Sequence, residues 1–168
     1  MNLELFLPEL SLATTAILVI LLDLFLQRKG LLAVISLIGI VVSAGFTIAV
    51  WQGAWGGAPQ SIFNNMLAVD SFALFFKLLF LGIAALITLA SVDYVSKLAR
   101  FQGEYYALVL LSALGMMLMA ATTELISIYI ALELTSISLY VLVGFLKDPK
   151  STEASLKYLL LGAIASAV

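Results

Sequence analysis

Three charged residues stand inside stretches that are otherwise apolar, and they carry the chemistry of this chain. Glu133 is about ten residues into IYIALELTSISLYVLVGF and its flank, Lys157 follows in LKYLLLGAIASA, and Lys77 lies in SFALFFKLLFLGIAAL. A charge at the centre of a membrane helix costs about 2.5–3.5 kcal/mol on insertion scales, so such residues serve a function or have a partner. Around Glu133, Tyr129, Ser136 and Tyr140 recur at spacings of three and four, with Ile130 and Ile137 beside them. On a helix these stack as one narrow polar stripe, suited to a bundle interior holding a few waters.

Proton transfer is the chemistry such residues can do. Burial raises a carboxyl pKa and lowers that of a lysine, and an opposite charge reverses both shifts. At 4 Å and an effective dielectric of 20 a pair interacts by about 4 kcal/mol, or about three pKa units. A partner that approaches and withdraws therefore loads and unloads a proton near neutral pH. Each charge also has a plainer reading. Glu133 could be a neutral acid bonded to a neighbouring helix. Lys157 could snorkel to the interface with Glu153, four residues earlier, as its partner. Lys77, two turns after Asp70 on the same helical face, could pair with a carboxylate of a neighbouring helix. Asp23 is expected to pair locally with Arg28 or Lys29, and Glu9, after Pro8, to mark the outer interface.

Six apolar runs position these residues, at about 3–26, 31–51, 67–90, 105–121, 124–146 and 153–168. The first five have the length that a hydrocarbon core of about 30 Å requires at about 1.5 Å per residue. Hydrophobic residues make up 64% of the 168 and charged residues 11%, and mean hydropathy is +1.19. Soluble domains are about 45–50% apolar and about 25% charged. The expected fold is all-α: one polytopic transmembrane bundle over residues 1–168, with five complete helices and the start of a sixth. That sixth run stops while still apolar, so more helices are expected beyond it. The N-terminus has no basic region or small-residue cleavage site, and the first run reads as a retained helix.

Arg28, Lys29, Lys97, Arg100, Lys147 and Lys150 all fall in alternate connections, and the remaining connections carry no basic residue. The positive-inside rule then puts the N-terminus outside and the 1–2, 3–4 and 5–6 loops in the cytoplasm. In the 5–6 connection Asp148-Pro149 stops a helix, and Ser151 and Thr152 are candidate caps for the next. Gly39, Ser43 and Gly45 suggest close approach of the second helix to a neighbour. Met116, Met117 and Met119 read as packing or lipid contact.

There is no cysteine and no histidine, so no thiolate or imidazole is available for a metal, cluster or haem. No Gly-rich loop opens a helix onto a phosphate. With a net charge of −2 and no basic stripe, nucleic acid is not an expected partner.

The stretch around Glu133, the short KDPKSTEAS link and the LKYLLLGAIASA that follows resemble the antiporter-like membrane subunits of respiratory complex I. That resemblance spans the whole chain and is most specific over the fifth and sixth runs. It implies a larger fold of about fourteen helices with inverted repeats, in which Glu133 matches the helix-five glutamate and Lys157 the helix-six lysine. It implies no cofactor in this chain. NADH, FMN, iron–sulfur clusters and quinone are expected on partner subunits, the other membrane subunits and the bilayer are direct partners, and the quinone pool is an indirect one. The family's helix-seven lysine, partner of the helix-five glutamate, would lie past Val168. The alternative is a subunit of a multisubunit sodium/proton antiporter. A third reading is a structural membrane scaffold.

Overall fold

A computed structural model describes residues 3–25, 30–56, 59–63, 65–96 and 101–167. Six helices follow in order: α1 (Leu7–Phe25), α2 (Gly30–Trp51), α3 (Ser71–Ser96), α4 (Gln102–Ala121), α5 (Leu125–Val143) and α6 (Pro149–Ala167). The first five are long and apolar enough to cross a membrane. The chain is thus a polytopic helix bundle. Arg28, Lys29, Lys97 and Arg100, the residues of the first two basic connections, lie outside the described residues, as do the partners expected for Asp23.

Four helices make a ring in which α1 packs on α2, α2 on α3, α3 on α4 and α4 on α1. That order puts α1 and α3 at opposite corners. Leu12, Ala16, Val19, Ile40, Leu81, Ala84, Leu110, Ala113 and Met117 fill the space between them. The second helix closes on the first at Gly39, where a Cβ would collide with Thr15, and Gly45 has open space in front of it. Beyond the ring, α5 lies on α4 and α6 lies on α5. Gly115 of α4 lets α5 approach at Ala131 and Thr135, and a Cβ there would stand 2.9 Å from the Ala131 carbonyl.

At one end of the bundle the chain departs from the helices that hydropathy predicts. Residues of the third apolar run, Leu67–Val69, form β2 and pair antiparallel with β1 (Gln60–Ile62). The helix starts only at Ser71, where the Asp70 carboxylate accepts the Ala73 N–H at 2.7 Å. Asp70 is therefore a helix cap, satisfying one of the orphan N–H groups of the first turn. The turn between the strands holds Phe63 at φ 54°, fixed by an edge-on contact with Phe6 at 5.6 Å. This ribbon is tied to the α4–α5 turn, since the Thr123 N–H donates to the Met66 carbonyl at 3.0 Å.

At the other end α6 begins at Pro149, one turn before the expected start near Glu153. The reason is Asp148, whose carboxylate accepts the Ser151 N–H at 2.7 Å. Asp148, rather than Ser151 or Thr152, caps the helix, and proline suits the first helical position because it has no N–H to satisfy. The bonds from the Ser151 hydroxyl and N–H hold the Asp148 carboxyl below its ordinary pKa. A carboxyl lowered in the folded state stabilises above its unfolded pKa and loses that contribution as pH falls through the lowered value. Exchange protection of the Ser151 amide is expected to drop over that acid range. Asp148→Ala should remove the pH dependence and leave the Ser151 amide less protected at neutral pH.

Candidate functional site

Two intramembrane carboxylates stand in opposite circumstances. Glu9, expected at the interface, is instead buried, with 1% of its surface exposed. It lies on the inner face of α1 with Leu5, Leu12, Ala16 and Val19, all buried. Its Oε1 accepts from the Lys77 ammonium at 2.5 Å, and both side chains are 2% exposed. The pair joins opposite corners of the ring. Leu5 and Leu74 lie one turn toward the ribbon end, and Leu12 and Leu81 one turn toward the other. Apolar layers therefore close it off on both sides. Beside it, the Ser43 hydroxyl of α2 donates to the Pro8 carbonyl at 2.8 Å, and Thr47 donates to Ser43 of its own helix. Glu9 Oε2 has no hydrogen-bond partner. Asp70 takes no part, being occupied as the cap of α3.

Glu133 is half-buried in the middle of α5. The face of α5 turned to α4 is set by Ala131 and Thr135, against Gly115. At about 100° per residue Glu133 lies two residues from each and so points to the far side of the helix. Among the described residues it makes no hydrogen bond and no ion pair. The expected stripe is split. Tyr129 is 50% exposed and Tyr140 only 9%, while Ser136 is half-buried beside Glu133. Tyr140 is where α6 docks: a Cβ on Gly162 would collide with its hydroxyl, Tyr158 packs edge-on at 4.8 Å, and Ser155 donates to its carbonyl at 2.8 Å.

Lys157 stays on its own helix, donating to Glu153 at 2.6 Å with 70% of its side chain exposed. The structure does not bring it to Glu133. No residue of α6 is buried, and half-buried Glu133 lies two turns along α5 from Tyr140, on the same face that α6 covers there. No group of metal-binding side chains occurs among the described residues.

With the bundle and its charged residues placed, the chain can be compared with known proteins. Residues 122–168, which hold all of α5 and α6, match the transmembrane family described as NADH:quinone oxidoreductase/Mrp antiporter. Within that class the similarity is to subunit N of NADH–quinone oxidoreductase: 52% identity over 98% of this chain for the Dehalococcoides mccartyi protein and 45% over 98% for that of Trichlorobacter lovleyi. The chain spans about a third of the length of these curated relatives, 33% and 34%. Among solved structures it superposes on 34% of a chain of Thermus thermophilus respiratory complex I, with a TM-score of 0.73, 32% identity and 95% of this chain covered. It also superposes on an archaeal membrane-bound sulfane sulfur reductase, with a TM-score of 0.81, 25% identity and coverage of 97% of this chain and 34% of that one.

The Glu9–Lys77 pair generates a prediction. Removing one member of a buried pair strands the other and costs about 3–5 kcal/mol, while replacing both with apolar groups is close to neutral. In thermal unfolding of the protein, Glu9→Leu and Lys77→Met should each lower the midpoint. The double variant should recover most of the loss, and equal losses in all three would refute the pairing.

Proposed function

We propose that the chain is part of a proton-translocating membrane subunit of NADH–quinone oxidoreductase, a multi-pass protein of the bacterial inner membrane, and that Glu133 is its proton-carrying carboxylate. The observation that carries this reading is the placement of Glu133: mid-span, unpaired among the described residues, on the face of α5 turned away from α4. A charge held there at a cost of a few kcal/mol is suited to a cation supplied by a neighbouring segment. Approach of that cation favours the carboxylate, and its departure favours the acid. Ser136, and Tyr129 at the outer end, supply hydroxyls for an ordered water.

Lys157 is the next positive charge along the membrane, held by Glu153 until another carboxylate competes for it. Lys77 has a structural role, locking α1 to α3. Electrons stay on partner subunits that hold flavin, clusters and quinone, and this chain binds none of them. Lys147 and Lys150 in the α5–α6 connection support a cytoplasmic position for that end and a periplasmic N-terminus. A multisubunit sodium/proton antiporter would use the same residues, but the relatives named subunit N favour the first reading.

The test is Glu133→Gln in the full-length subunit within the assembled complex, in inside-out vesicles. NADH-driven quinone reduction and proton uptake should fall together by about 10-fold or more, the scale on which a positioned proton-transfer group acts. Wild-type values for both, in a normally assembled complex, would make Glu133 a structural group.

A further inference from the structure

We propose that the cleft between the first turn of α4 and the last turn of α5 is a binding site for the headgroup of an ethanolamine phospholipid. The cavity is about 240 Å³ and is lined by Phe101, Glu104, Leu108, Val141, Phe145 and Lys147, with Gly144 at its back. It lies at the end of the bundle where α4 starts and α5 stops, the depth at which lipid headgroups sit. Phe101 and Val141, which line it, are 46% and 48% exposed.

One anion and one cation line this cavity without neutralising each other. Glu104 Oε2 is enclosed and has no hydrogen-bond partner. Lys147 lies over the Phe101 ring, 4.7 Å from its centre. Among the described residues neither Glu104 nor Lys147 makes an ion pair. Both side chains line the cavity, and a dipolar ligand there meets both charges at once, through the accessible oxygen of Glu104. A primary ammonium donates N–H bonds to Glu104, and a phosphate a few ångströms away meets Lys147. The acyl chains then run along Leu108 and Val141. A quaternary choline headgroup has no N–H to give Glu104, and an anionic headgroup brings only repulsion there. Phe101 and Lys147 both hold left-handed backbone, at φ 70° and 56°, which fixes the mouth of the cleft.

The experiment uses the assembled complex containing the full-length subunit, stripped of lipid in mild detergent. It is then equilibrated with vesicles of equal parts phosphatidylethanolamine and phosphatidylcholine, and retained lipid is counted by native mass spectrometry. Wild type should retain ethanolamine lipid preferentially. Glu104→Gln should reduce that preference by about tenfold, the loss of one charge-assisted bond. Lys147→Gln should weaken retention of both lipids. No preference in wild type, or an undiminished preference in Glu104→Gln, overturns the proposal. A second measurement needs no charge removed: a photoreactive phenylalanine analogue placed at position 141 of the otherwise wild-type complex. A lipid adduct supports the site, and a cross-link to another subunit in its place overturns it.

Discussion

Hydrocarbon offers no hydrogen-bond partner, so each polar group that these helices carry into the membrane must be satisfied by the protein. The hydroxyls obey this locally. Ser36 bonds the carbonyl of Leu32, Thr88 that of Ala84, Thr135 that of Ala131 and Ser138 that of Leu134, all one turn back along their own helices. Ser43 instead reaches across to Pro8 and ties α2 to α1. A charge cannot be satisfied this way, and the three intramembrane charges of the sequence meet the constraint differently. Lys77 has a buried carboxylate, Lys157 a local one, and Glu133 has no partner among the described residues.

That difference separates scaffold from working part. The α1–α4 ring is closed, with its ion pair enclosed between leucine layers, and a pair in that setting resists exchange with water. Breaking it leaves a charge with no medium to enter, so it holds the diagonal of the ring in one register. By contrast, α5 touches one helix on each of two opposite sides. Gly115 sets its distance from α4, and Tyr140 and Gly162 set its distance from α6. Glu133 lies on the Tyr140 side of α5, two turns from that contact, and is half-buried. On the proposed function, the fixed ring beside this charge is the rigid surface against which a bistable partner would work.

Much of this was legible in the residues. Five spanning helices follow from run length alone. Glu133, Lys77 and Lys157 stand out because a bilayer penalises them, and Glu153 is in i,i+4 reach of Lys157. What was hidden has physical causes. Leu67–Val69 is as apolar as the helix it precedes, and hydropathy cannot tell a short ribbon from a helical turn. Asp148 is one residue before the proline that it helps to place in a first turn, so the cap was sought too late in the chain. Glu9 looked terminal beside Pro8. The signal for its burial was its spacing with Leu5, Leu12, Ala16 and Val19, at steps of four and three. On a helix apolar all round, that stripe has no polar face to contrast with. For the same reason Tyr140 looked like a water ligand and proved to be a packing surface for α6. The α5 face of Glu133 was legible as polar, but which side of it α4 covers depends on Gly115, far away in sequence.

The most direct measurement watches the proton at its carboxyl. Infrared difference spectra of the assembled complex would be recorded on addition of NADH, with glutamate labelled with carbon-13 to identify glutamate carboxyl bands. The account predicts a change in a protonated glutamate C=O stretch during turnover that is absent in Glu133→Gln. A spectrum unchanged by that substitution would contradict it, because Glu133 would then hold the same protonation state throughout the cycle.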